Sequence, residues 1–172
     1  MKKLLIALCA LLLAVPGPAL AQCDFTAFCG ELPVLSLQYD ENAFALDTES
    51  YLSGSVGGHT WIGMLSNRAV TVELAADLCT DLPPESAPEQ LSAYLCAALA
   101  ADQCQPLEIY VTPGFVSFVI LSLNGPAGQS YRAAVLSQGY IVYFELYNLL
   151  GGAAPEDLLT LKALLDTVCL PY

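Results

Sequence analysis

Residues 107–147 read LEIYVTPGFVSFVILSLNGPAGQSYRAAVLSQGYIVYFELY, and the punctuation of this stretch decides the fold. Leu107 to Thr112, Phe115 to Leu123, Ser130 to Leu136 and Tyr140 to Tyr147 are rich in Val, Ile, Tyr and Phe. They are separated by Pro113-Gly114, Asn124 to Gln129 and Ser137-Gln138-Gly139. β-branched and aromatic side chains fit a pleated, half-buried surface, and the Gly, Pro and Asn between them form turns. Connections this short join only antiparallel neighbours, because a parallel return needs a crossover of roughly a dozen residues or more. The segment predicts a four-stranded meander. Runs such as Phe118-Val119-Ile120-Leu121 are apolar on both faces, so both sides of the sheet call for a cover.

The cover is sought in the flanking segments. Upstream, Pro88 suits the first position of a helix, with Ser86 or Ala87 before it and Glu89 at the positive end of the dipole. Leu91, Tyr94, Leu95, Ala98 and Leu99 recur at three and four, which places them on one face. Downstream, Pro155 opens a second helix with Glu156 and Asp157 in its first turn, and Leu158, Leu161, Leu165 and Val168 form a stripe running to Cys169. Earlier still, Val34 to Tyr39 and Ala43 to Asp47 read as short strands around the polar triplet Asp40-Glu41-Asn42. Thr60 to Leu65 and Ala69 to Ala75 read as a hairpin around Ser66-Asn67-Arg68. The order predicts an α+β domain, an antiparallel sheet of about six to eight strands covered by two helices, one after residue 86 and one at the C-terminus.

Residues 1–21 read as a cleaved signal peptide: Lys2 and Lys3, an apolar run from Leu4 to Val15, then Pro16, Pro18 and small residues at Ala19 and Ala21. Cleavage is expected between Ala21 and Gln22. The apolar run is well short of the roughly 20 residues needed to span a bilayer, and a lipid anchor at Cys23 would want a small residue where Gln22 stands. The chain is therefore expected to be exported, to a periplasm or beyond, with no membrane span in its mature part. Residues 22–172 read as one globular domain that opens with an irregular, cysteine-containing arm over 22–33.

The whole chain carries 5 Lys plus Arg against 17 Asp plus Glu. The leader removes Lys2 and Lys3 and no acid, leaving Arg68, Arg132 and Lys162 against the same 17 acids. Binding to nucleic acid depends on clustered cations that displace counterions, so no nucleic-acid partner is expected. An unknown protein or a small apolar ligand fits better.

Loss of the leader also removes Cys9 and leaves an even set: Cys23, Cys29, Cys79, Cys96, Cys104 and Cys169. In an exported chain such a set predicts disulfides, with free buried thiols as the plainer alternative. Zinc would need four thiolates from scattered loops, since no C-x-x-C motif is present and His59 is the one histidine. A helix rises about 1.5 Å per residue, so Cys79, at the end of the strand that precedes the first helix, is expected to reach Cys96 more readily than Cys104. The remaining four cysteines stay unassigned.

Leu123-Asn124-Gly125-Pro126-Ala127, then Tyr131-Arg132-Ala133 and Gly139-Tyr140-Ile141-Val142-Tyr143, ending in a leucine-rich terminal helix, resemble the PsbP-like family of α/β/α sandwich domains. The resemblance covers element order from about Leu35 to Cys169 and sequence character over 107–169. It implies a non-catalytic binding or accessory module and carries no catalytic residue onto this chain. The six mature cysteines and the scarcity of Lys and Arg depart from the family.

Candidate chemistry is sparse. His59, in Gly57-Gly58-His59-Thr60-Trp61, could serve a small hydrolase as general base, with Ser53 or Ser55 as nucleophile and an acid to orient it. The G-x-S-x-G elbow is absent, and an ordinary loop histidine is the simpler reading. Gly54 to Gly58 lacks the Gly-Lys-Ser/Thr of a phosphate cradle. Asp40, Glu41, Asn42, Asp47 and Glu49 are the densest oxygen ligands for weak calcium binding, but Phe44 falls where an EF-hand needs a ligand. Tyr110, Phe115, Phe118, Tyr131, Tyr140, Tyr143, Phe144 and Tyr147 could line an apolar pocket between sheet and helix or simply pack the core. The expectation is an exported, non-enzymatic binding or accessory domain with no cofactor; the alternatives are a hydrolase using His59 and a weak calcium-binding envelope protein.

Overall fold

The computed structural model describes residues 22–49, 55–56, 58–99, 103–126, 128–148 and 150–171. The proposed leader, including Ala21 on one side of the cleavage point, lies outside them; Gln22 is the first residue within. The meander is present as β7 (Cys104–Val111), β8 (Ser117–Gly125), β9 (Gly128–Ser137) and β10 (Tyr140–Asn148), each antiparallel to the next. The β9–β10 connection has only two residues, Gln138 at φ 53° and Gly139 at φ 80°, the pair of positive values that a tight primed hairpin turn needs.

Upstream strands extend the same sheet. β5 (His59–Ser66) and β6 (Val70–Leu78) form the hairpin read around Asn67, whose side-chain oxygen accepts from the N–H groups of Ala69 and Val70. β6 pairs with β10, while β3 (Ala45–Asp47) and β4 (Ser55–Val56) both pair with β5. The sheet has eight strands in the order β3-β5-β6-β10-β9-β8-β7, with β4 beside β3 on β5. β7 is an outer strand, and its ladder to β8 is interrupted by a bulge between Pro106 and Glu108.

The N-terminal arm is not irregular. β1 (Gln22–Cys29) and β2 (Leu32–Asp40) form a separate two-stranded hairpin turned at Gly30, φ 64°. Its period of two was present in the sequence: Cys23, Phe25, Ala27 and Cys29 turn inward and Asp24, Thr26 and Phe28 outward. Two cysteines in eight residues drew the reading toward a pinned coil and away from that alternation.

Two helices complete the described elements. α1 (Pro88–Ala98) contacts β7, β8 and β9, and α2 (Pro155–Leu165) contacts β2 and β10. Each starts at a proline, and each N-cap N–H is satisfied by a side chain three residues on: Gln90 Oε1 accepts from Ala87, and Asp157 Oδ2 from Ala154. α2 stops at Leu165 and does not run to Cys169. There Thr167 turns away to hydrogen-bond the backbone of Gln38, and Cys169 bridges Ser36 as a strand residue. Val168 is buried as foreseen, but from extended chain.

Alternation along the strands divides the core in two. One face of the sheet carries Leu74, Phe118, Ile120, Ala133, Val142 and Phe144, which pack with the hairpin residues Ala27, Val34 and Leu37 and with Leu161 and Leu165 of α2. The other carries Ala75, Val119, Leu121, Ala134, Ile141 and Tyr143, which pack with Leu91 and Leu95 of α1. The fold is α+β. Among the described residues no helix is long and apolar enough to cross a membrane.

Candidate functional site

The α1 side of the sheet is interrupted by charge. β9 and β10 place Arg132 directly opposite Glu145. Arg132 Nε and Nη2 donate to Glu145 Oε2 at 2.9 and 2.5 Å, and Ser130 Oγ donates to Oε1 at 2.9 Å. Glu145 is 6% exposed, so all of this happens nearly out of water. Burial is the largest single influence and opposes the Arg132 charge, but the charge and hydrogen bond of Glu145, with Tyr143 and Tyr147, together hold the guanidinium pKa above its ordinary value. The guanidinium also lies 4.5 Å from the ring centre of Tyr143, a cation–π contact.

Tyr143 joins this pair to a second one. Its hydroxyl oxygen lies 3.2 Å from His59 Nδ1, and that nitrogen lies 2.5 Å from Asp77 Oδ1. His59 and Asp77 face each other across β5 and β6. An ionised carboxylate only accepts, so Nδ1 carries the proton and donates it toward Asp77. Trp61 meets the imidazole edge-on at a centroid distance of 5.1 Å. Burial first, then the Asp77 charge, pushes the Tyr143 hydroxyl pKa up; for Tyr147 it is burial, then Glu145. Asp77, His59, Tyr143, Arg132, Glu145 and Ser130 thus form a polar strip across four strands.

Among the residues singled out from sequence, His59 does have an acid partner, Asp77. Ser53 lies outside the described residues, and Ser55 is described through its backbone alone, paired with Thr60. The base is oriented by an acid, and the side chains of both candidate nucleophiles lie outside what the structure describes. The acidic triplet is engaged in turns: Asp40 Oδ1 accepts from the N–H and the side chain of Asn42, and Asp47 Oδ1 from Glu49 N–H. No group of three or more His, Cys, Asp or Glu that could hold a metal occurs among the described residues. The aromatic set does not line one pocket: Phe118, Tyr131 and Phe144 lie on the hairpin side, Tyr143 on the α1 side, and Phe115 is 90% exposed at a turn.

All six described cysteines are thiols. Cys23 donates to Glu41 Oε2 at 3.3 Å, and that hydrogen-bonded carboxylate pushes its pKa up; Cys29 is raised by burial. Cys169 is exposed. The expected Cys79–Cys96 bond is not formed, and the thiol beside Cys96 is Cys104, with Cys96 Sγ 2.9 Å from Cys104 Sγ. Rise along α1 measures distance from the helix start alone, whereas Cys104, the first residue of β7, lies beside the last turn of the helix. Cys79 instead continues from β6, its N–H donating to Gly139.

Sequence reasoning passed over the Arg132–Glu145 pair, and a signal for it existed. Each charge stands alone in an apolar strand, five residues from the strand end that borders Gln138-Gly139, so a tight hairpin must set them opposite.

Two concavities flank these features. One, of about 300 Å³, lies beside the end of α1 and is lined by Leu99, Leu123, Ser130, Glu145 and Tyr147 among others. The larger, about 690 Å³, opens between the β1–β2 hairpin and β5, where Phe25, Phe28, Cys29, Trp61, Ile62 and Tyr140 line it. No protein-family model, curated protein or solved structure matches the chain.

Proposed function

We propose that this chain is an exported, non-enzymatic binding domain, cleaved between Ala21 and Gln22, that takes a small apolar ligand in the groove between its N-terminal hairpin and β5. The groove itself carries the reading. Its volume of about 690 Å³ falls in the ordinary range for small-molecule sites. Phe28, 49% exposed, stands at its wall, as a ligand-facing aromatic would. The buried polar groups support a binding role, since the Arg132 and Glu145 charges are engaged with each other. In this reading the two helices serve as covers of the sheet and the hairpin side is left as the mouth. Element order supports kinship with the PsbP-like accessory domains.

Trp61 is the sole tryptophan and lines the groove, so its emission reports occupancy. Titration with N-phenyl-1-naphthylamine, an uncharged apolar probe, is expected to quench Trp61 saturably with energy transfer to the probe. Phe28→Ser should weaken that binding about tenfold, roughly the loss of one apolar anchor. A non-saturable response, or one indifferent to Phe28→Ser, rejects the groove. N-terminal sequencing of the exported protein should begin at Gln22.

The Asp77–His59 contact favours a second reading, a small hydrolase with His59 as base. Turnover of an activated ester abolished by His59→Gln would replace the binding reading.

A further inference from the structure

Among the described residues one pair of sulfurs meets: Cys96 Sγ and Cys104 Sγ, at 2.9 Å. That is about 0.9 Å beyond a sulfur–sulfur bond of roughly 2.05 Å. Cys96 lies in the last turn of α1 and Cys104 is the first residue of β7, with Ala97 to Gln103 between them in sequence. Cys104 is buried and Cys96 half-buried, and both pack among the residues under α1, near Leu95, Leu121 and Leu123.

Among the described residues, the end of α1 is fastened only through the partly buried Cys96 and Leu99. It has no basic residue in its last turn to answer the negative end of the helix dipole, and Leu99 leaves in extended conformation. The helix is held chiefly through Leu91 and Leu95, its buried residues. A covalent tie at Cys96 falls where the packing changes from fully to partly buried side chains.

We propose that Cys96 and Cys104 form an intramolecular disulfide that staples the C-terminal end of α1 to the first residue of β7. The oxidant is a disulfide-bearing exchange partner, RSSR. The Cys96 thiolate attacks one sulfur of RSSR, forming Cys96–S–SR and releasing RS⁻. The Cys104 thiolate then attacks the Cys96 sulfur, the Cys96–Cys104 bond forms, and the second RS⁻ leaves. The two thiol protons end on the two RS⁻ groups, the cysteines lose two electrons, and RSSR gains them. The order follows from access. Burial, and next the Cys96 thiol, push the Cys104 pKa up to about 12, so Cys104 is the poorer first attacker and acts once Cys96 holds the mixed disulfide.

The staple does not depend on the groove or on a ligand, and oxidised glutathione serves as RSSR in the test. The full-length mature chain is equilibrated with oxidised glutathione, alkylated, denatured and cut before Asp102, which separates the two cysteines. The Cys96 and Cys104 peptides should stay joined, lighter by two hydrogens, until reductant is added. Reduction should lower Tm by about 5–10 °C, the scale for closing a loop of nine residues in a domain of this size. Cys96→Ser, at the more exposed position, should remove that part of the reduction-dependent shift. Alkylation of both thiols after oxidation, or linkage of Cys96 to Cys79, overturns the assignment.

Discussion

The two faces of the eight-stranded sheet are built from the same strands and do different work. The hairpin face is largely hydrocarbon: Leu74, Phe118, Ile120, Val142 and Phe144 pack with the β1–β2 hairpin and α2, with Phe118 and Phe144 edge-to-face at 6.0 Å. The α1 face is divided. Val119, Leu121 and Ile141 pack under the helix, and beside them run Ser130, Arg132, Glu145, Tyr143, His59 and Asp77. Burying an ion pair gains little net stability against a hydrocarbon pair of equal size, but its geometry admits one register only. The contrast teaches that cohesion comes from the hairpin face, while the α1 face holds β9 against β10 with Glu145 opposite Arg132.

The contrast can be broken at several points. Phe144→Ala should cost about 3–5 kcal/mol by chemical denaturation, since a fully buried ring leaves a cavity in the apolar layer. Glu145→Leu alone strands a largely buried guanidinium and should cost about 3 kcal/mol. Adding Arg132→Met should recover most of that loss; if the double variant stays as weak as the single one, the pair contributes cohesion after all. A smaller effect is expected from alkali. Tyr143 and Tyr147 have folded pKa values raised above 10.0 by burial, so the folded state keeps their protons where the unfolded chain gives them up. Their contribution is intact below pH 10 and declines as pH rises beyond it. Stability measured between pH 9 and pH 11.5, a window set by that ordinary tyrosine value, should fall, and Tyr143→Phe should flatten the decline. Smallest of all, Phe28→Ser should leave stability within about 0.5 kcal/mol, because the ring is half in water already.

The meander was legible because its information is local. Runs of Val, Ile, Tyr and Phe broken by Pro113-Gly114 and Gln138-Gly139 leave few alternatives, and the observed strands differ from that reading only at their ends. Both helix starts were legible for the same reason, a proline followed by an acid. The β1–β2 hairpin was missed although Phe25, Ala27 and Cys29 alternate with Thr26 and Phe28, because short cysteine spacing was given more weight than period. The candidate site was harder. His59 drew attention as the one histidine, whereas Asp77 and Tyr143 become its neighbours only after β5, β6 and β10 align. The Cys96–Cys104 approach depends on β7 starting beside the last turn of α1, which no helical spacing encodes.

The bulge in β7 matters for how copies of this chain coexist. An outer strand bearing Leu107, Ile109 and Val111, all exposed, is by composition an invitation to intermolecular strand pairing. Pro106 contributes no N–H to either side, and the extra residue before Glu108 throws the border out of step. Glu108 is paired with Lys162 of α2, so charge stands in the middle of that border. The border therefore offers a neighbouring molecule no regular template, which is how natural sheets disfavour edge-to-edge growth.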